Sequence, residues 1–125
     1  MQDGKYVILC VDDDPDLLFA LRLVLQNNGY AVVEAASGED ALKVWRHAKP
    51  DLLIIDLMME EVDAGTHLVT ELKAAGCDKP ILMLSSVGDA LSLQADAAGL
   101  GLAGVFQKPI DNARLLKTIA SKLKA

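Results

Sequence analysis

Residues 51–59 read DLLIIDLMM, in which Leu52, Leu53, Ile54 and Ile55 are four apolar residues in succession. A short apolar run after Pro50 and before a charged loop has the pattern of a strand buried on both faces, as in a parallel sheet. Asp56 follows directly. A carboxylate at the end of a buried strand is costly unless it is paired or ligates a cation. Asp56 is thus a candidate site residue; its plainer role would be to cap the next turn.

Toward the N-terminus, residues 5–11 (KYVILCV) give a first apolar strand that Asp12, Asp13 and Asp14 end. Pro15 suits a first helical turn, where its missing N–H is no loss. Leu17, Leu18, Leu21, Val24 and Leu25 recur at helical spacing to about Asn28, and Gly29 stops the helix. Residues 30–35 (YAVVEA) form a second strand. Ser37 caps a helix that carries Ala41, Leu42, Val44 and Trp45 and ends near His47. Lys49-Pro50 then turns the chain into the strand over 51–55.

Toward the C-terminus, the acidic loop LMMEEVDAG precedes a helix over 65–75 with Leu68, Val69 and Leu72 on one face. Gly76 stops it, and residues 81–84 form a fourth strand ending in Ser85-Ser86. A weaker helix is expected over 89–98. A fifth strand, 104–107, ends at Lys108-Pro109. Asp111 caps a last helix with Leu115, Leu116, Ile119 and Leu123 apolar. Five strands alternating with five helices predict an α/β fold, a doubly wound parallel sheet with helices on both faces.

At 125 residues the chain suits one domain, 1–125, and its 52% hydrophobic, 4% aromatic composition demands an aliphatic core. No apolar run approaches the ~18 residues of a membrane span, so membrane insertion is not expected. The start of the chain lacks the pattern of a signal peptide, and Cys10 and Cys77 read as unpaired structural thiols, so a cytoplasmic setting is expected. A net charge of −6 and the lack of a basic face argue against direct nucleic-acid binding. His47 and His67 stand apart, so no zinc site is expected.

In doubly wound sheets, ligands sit beyond the C-terminal strand ends. Here those ends carry Asp12 and Asp13 (first strand), Asp56 (third), Ser85 (fourth) and Lys108 (fifth). Carboxylates brought together repel and call for a divalent cation, and sparse acidic ligands suit Mg²⁺. A carboxylate can attack phosphorus only when the incoming phosphoryl charge is neutralised. Mg²⁺ held by Asp13 and Asp56, with Asp12 through water, would do that, and Lys108 and Ser85 could bind phosphoryl oxygens. For Asp14 the reading is a helix cap.

The whole chain resembles the receiver domain of two-component response regulators. The resemblance rests on VDDDP (residues 11–15), Asp56 in IIDLMM, Ser85 on the fourth strand and Lys108-Pro109, in that order on five βα units. It implies a flavodoxin-like fold with strand order 2-1-3-4-5, which sets the first and third strands side by side. It implies that Asp56 is the phosphoacceptor, served by a sensor histidine kinase or a histidine phosphotransfer protein, and that the domain is not a turnover enzyme. Asp12, Asp13, Asp56 and the backbone carbonyl of Met58 would be the metal ligands. Ser85 and Lys108 would contact the phosphoryl group, and the bond to Pro109 is often cis in the family. The output surface would be the helix over 89–98, the fifth strand and the last helix, acting on a downstream protein or a fused output domain.

The sequence departs from the family at three places. Glu60 stands where a proline is common, and Val62-Asp63-Ala64 stands for Met-Asp-Gly. Val105 occupies the position of the usual switch aromatic, with Phe106 one residue on and therefore expected on the other face. Two other functions remain. A haloacid-dehalogenase-like phosphatase also has Asp-x-Asp after its first strand, matched here by Asp12 and Asp14, but Asp16 stands where it has Thr. An electron-transfer flavodoxin needs a hydroxyl-rich phosphate loop, and DDDPD would repel phosphate. Met58 and Val87, two residues past Asp56 and Ser85, are apolar and cannot orient an attacking water. An Asp56 phosphoryl group should therefore last hours without a phosphatase, as followed by intact mass; a lifetime of seconds would refute this.

Overall fold

The computed structural model describes residues 4–56, 64–85 and 101–123. In chain order the elements are β1 (Val7–Val11), α1 (Pro15–Asn27), β2 (Ala31–Ala35), α2 (Gly38–Ala48), β3 (Leu52–Asp56), α3 (Ala64–Ala74), β4 (Ile81–Ser85), β5 (Gly104–Gln107) and α4 (Asn112–Leu123). The helix expected over 89–98 lies outside the described residues. All neighbouring strands run parallel, in the order β2-β1-β3-β4-β5. The expected doubly wound, flavodoxin-like architecture is therefore present.

Alternation along each strand sorts the core into two layers. Leu9, Val11, Leu53, Ile55, Ile81, Met83 and Val105 face α2 and α3, meeting Ala41, Leu68, Val69 and Leu72. Ile8, Cys10, Leu52, Ile54, Leu82, Leu84 and Phe106 face α1 and α4, meeting Leu18, Leu21, Leu25, Leu115 and Ile119. Strands β1, β3 and β4 are buried along their whole length, so they lack the polar alternation of a one-sided sheet. The edge strand β2 is only half-buried over most of its length.

Local chemistry sets the element ends. Asp14 is the N-cap of α1 and accepts a bond from the Asp16 amide at 3.0 Å, with Pro15 in the first turn. Gly29 follows α1 at φ +88°, a left-handed conformation that costs glycine little. Ser37 caps α2 through the Asp40 amide at 3.2 Å, and Asp111 caps α4 through the Arg114 amide at 3.2 Å. Asp51 ties the bottom of the sheet together: its Oδ2 accepts from the Val7 amide at 2.8 Å. Among the described residues, no helix is long and apolar enough to cross a membrane.

The core and the surface should respond differently to truncation. Ile54 is fully buried in the central strand, whereas Phe19 on α1 is 52% exposed. Ile54→Ala should cost about 2–5 kcal/mol in urea unfolding, and Phe19→Ala about 0.5 kcal/mol or less.

Candidate functional site

The register between β1 and β3 aligns Val11 with Ile55, so the next residues, Asp12 and Asp56, leave adjacent strands at the same end. Val11 also pairs with Ala35, and the Asp12 amide donates to the Ala35 carbonyl at 3.1 Å, which fixes the chain as it leaves the sheet. Asp12, Asp13 and Asp56 each bring a carboxylate oxygen to within 4.8 Å of the others. Asp12 and Asp56 are buried, at 1% and 4% exposure, while Asp13 faces solvent.

The fifth strand brings the cation. The Lys108 amide donates to the Ser85 carbonyl at 2.8 Å, extending the β4–β5 ladder by one step. Lys108 Nζ then lies 3.2 Å from Asp56 Oδ2 and 3.5 Å from Asp12 Oδ2. The Lys108–Pro109 bond is cis. Ser85 is fully buried at the end of β4, and its Oγ has no hydrogen-bond partner among the described residues. A buried hydroxyl without a partner forfeits its water hydrogen bonds, and among the described residues no backbone group supplies one.

The electrostatics are those of a site built for an added cation. Burial pushes the Asp12 carboxyl up from 3.8 to about 6. The Asp14 amide, which donates to Asp12 Oδ1 at 2.9 Å, opposes that rise; Asp56 adds to it and Lys108 opposes it. Burial alone would lower the Lys108 ammonium, but Asp12 and Asp56 outweigh it and raise its pKa. One lysine thus answers two buried acids and leaves an excess of negative charge. The donor set of three carboxylate oxygens, one of them open to solvent, fits a hard, partly hydrated divalent ion.

Of the residues expected at the site, Asp12, Asp13, Asp56 and Lys108 come together, and Ser85 closes the neighbouring strand. Met58 lies outside the described residues, as do Glu60, Val62, Asp63 and Val87. Asp14 is spent on the α1 cap, which removes the second acid of the Asp-x-Asp phosphatase pattern. Val105 faces α2 and α3, and Phe106 lies on the opposite face. There the Arg114 guanidinium sits over the Phe106 ring at 5.3 Å from its centroid. Cys10 and Cys77 are both buried and free, and burial pushes the Cys10 thiol far up, which suits structural thiols.

Comparison with known proteins agrees with this arrangement. The family model described as response regulator receiver domain matches residues 8–120. The transcriptional regulatory protein GlrR of Escherichia coli K12 is 38% identical over 120 residues, covering 94% of this chain and 26% of that protein. Response regulator MprA of Mycobacterium leprae is 35% identical over 117 residues, covering 94% of this chain and 50% of that protein. The chain thus spans a quarter to a half of the length of these relatives. The chemotaxis response regulator CheY4 of Vibrio cholerae superposes with a TM-score of 0.83 at 29% identity, covering 96% of this chain and 100% of that one.

The raised Asp12 carboxyl has a consequence for stability. Between pH 3.8 and about 6 the folded, metal-free state holds more of the Asp12 proton than the unfolded chain does. Raising the pH through that window therefore costs stability, and the loss is complete above it. Asp12→Asn should stabilise the metal-free protein at pH 7 by about 1–3 kcal/mol. In urea melts the advantage should shrink toward zero as the pH falls to about 4.

Proposed function

We propose, from the premise that this chain belongs to the response regulator receiver domain family of two-component systems, that it is a phosphoacceptor switched by transfer of a phosphoryl group to Asp56. The observation that carries the reading is the meeting of Asp12, Asp13 and Asp56 within 4.8 Å, with Lys108 Nζ 3.2 Å from Asp56. The donor would be a phosphorylated histidine of a sensor kinase or of a phosphotransfer protein.

One oxygen of Asp56 attacks phosphorus as the bond to the histidine nitrogen breaks, leaving an acyl phosphate on Asp56 and a free imidazole that takes a proton from water. Asp12, Asp13, Asp56 and the Met58 carbonyl would hold Mg²⁺, which would supply the positive charge that offsets the phosphoryl oxygens. Lys108, with its Nζ 3.2 Å from Asp56 Oδ2, holds the Asp56 carboxylate before reaction, so orientation is set in advance. Lys108 then exchanges its contact with Asp56 for a phosphoryl oxygen, a charge-assisted bond. The Ser85 hydroxyl supplies a second donor, gaining the partner it lacks among the described residues.

The switch would run from Ser85 and Lys108 into β5 and α4, with the segment over 89–98 completing the output face. Phe106 is already buried beneath Arg114, so Ser85 and Lys108 carry the signal without a swinging aromatic. The domain, residues 1–125, would act in the cytoplasm as a signalling module that is modified once per cycle, without turnover of a substrate. Its output would pass to a downstream protein or a fused output domain, as the greater length of GlrR and MprA accommodates.

Incubation with acetyl phosphate and Mg²⁺ should add one phosphoryl group, about 80 Da, to Asp56. The adduct should be absent from Asp56→Asn and from samples treated with EDTA. Lys108→Ala should lower the yield while leaving the metal site formed. Continuous release of phosphate, with no stable adduct, would instead mark a phosphatase.

A further inference from the structure

The end of the sheet opposite Asp56 carries a second cleft. It has a volume of about 650 Å³ and lies below the C-terminal ends of α2 and α3, at the starts of β3 and β4. Its apolar lining includes Trp45, Pro50 and Cys77. Its polar lining is dominated by three cations, Arg46, Lys49 and Lys79, against the single acid Asp78. Strand β3 runs five residues, Leu52–Asp56, so this cleft and the acid cluster lie about 15 Å apart.

Three features mark the cleft. First, none of the three cations forms an ion pair among the described residues, although the chain as a whole carries −6. Second, Lys49 sits at φ 49°, the only non-glycine residue with positive φ among those described. It is the left-handed C-cap of α2, its N–H donating to the Trp45 carbonyl at 3.1 Å, and it costs a lysine about 1 kcal/mol that glycine would avoid. Third, the only tryptophan of the chain forms a half-buried wall beside these charges. Cations near helix C-termini do offset the helix dipole, which accounts for Arg46 and in part for Lys49. It does not account for Lys79, which stands on the turn into β4.

A flat ring can stack on Trp45, and a phosphate can be held by an arginine fork and two lysines. The volume falls within the range of small-molecule sites. We propose that this cleft binds a mononucleotide, the base against Trp45 and the phosphate between Arg46, Lys49 and Lys79. Such a ligand would act at the far end of the same strands that end in Asp56 and Ser85. The inference is independent of phosphoryl transfer, because every residue it uses lies at the other end of the sheet.

Trp45 makes the test direct, since no other tryptophan contributes to the emission. The full chain is titrated with AMP and with GMP, without Mg²⁺ or phosphodonor, and with adenosine and inorganic phosphate as separate probes. At least one nucleotide should give a saturable change in Trp45 emission, with adenosine and phosphate each binding about tenfold more weakly or worse. Lys79→Ala should weaken nucleotide binding about tenfold with an unchanged melting temperature. Lys49→Gly should weaken it while leaving the melting temperature equal or higher, because the backbone strain is removed. A Lys49 that serves only as the cap of α2 would show the same equal or higher melting temperature with unaltered binding, which would overturn its part in the site. Absence of any saturable change below about 10 mM of either nucleotide would overturn the proposal. So would equal affinity in both variants, or adenosine binding as tightly as AMP.

Discussion

Repulsion among carboxylates in a place with little water is the constraint behind this molecule's site. Asp12 and Asp56 are carried into the same buried corner by the pairing of β1 with β3, and Asp13 is pulled along with them. A single lysine, Lys108, reaches both buried acids. The protein tolerates a destabilising charge arrangement because the sheet beneath it is buried in apolar contacts on both faces. Such a corner is a reservoir of electrostatic free energy that a cation and a phosphoryl group can discharge.

The sheet itself follows from composition and pattern. Apolar runs such as VILCV and LLIID have no polar side to show to water, so they lie in the interior of a parallel sheet with helices above and below. Proline and glycine at element boundaries, together with Asp14, Ser37 and Asp111 as caps, set where helices begin and end. The site was legible for the same reason. A doubly wound sheet directs the residues after its strands to one end, so Asp12, Asp13, Asp56, Ser85 and Lys108 could be assembled before any distance was known. Phe106 was readable from period-two alternation alone: one step beyond Val105, it must face the other layer.

Other features needed coordinates. The ion pair of Arg22 with Glu34, at 3.0 Å, joins a helix to an edge strand twelve positions away, and neither residue type nor spacing marks it. Asp51 reads as the first residue of the third strand, yet it precedes β3 and its carboxylate closes the base of the sheet on Val7. The left-handed Lys49 departs from the usual glycine or asparagine at a helix end, and a propensity argument has no means of finding an exception. The basic cleft draws its lining from two helix ends and two strand starts, which become neighbours only when the sheet forms. The raised Asp12 pKa is likewise a product of burial, which sequence order does not specify.

Taken together, the two ends of the sheet differ in sign. Among the described residues, one end concentrates acids around Lys108, and the other exposes cations without ion pairs beside an aromatic wall. The acid end is the one on which the assignment of function rests, and the proposed function demands that it take up a divalent ion. That demand is measured by the melting temperature of the full chain as Mg²⁺ is added at pH 7. A saturable rise in the wild-type protein, lost in Asp13→Asn, is the result this account requires. A melting temperature indifferent to Mg²⁺, or a rise that survives Asp13→Asn unaltered, would contradict it.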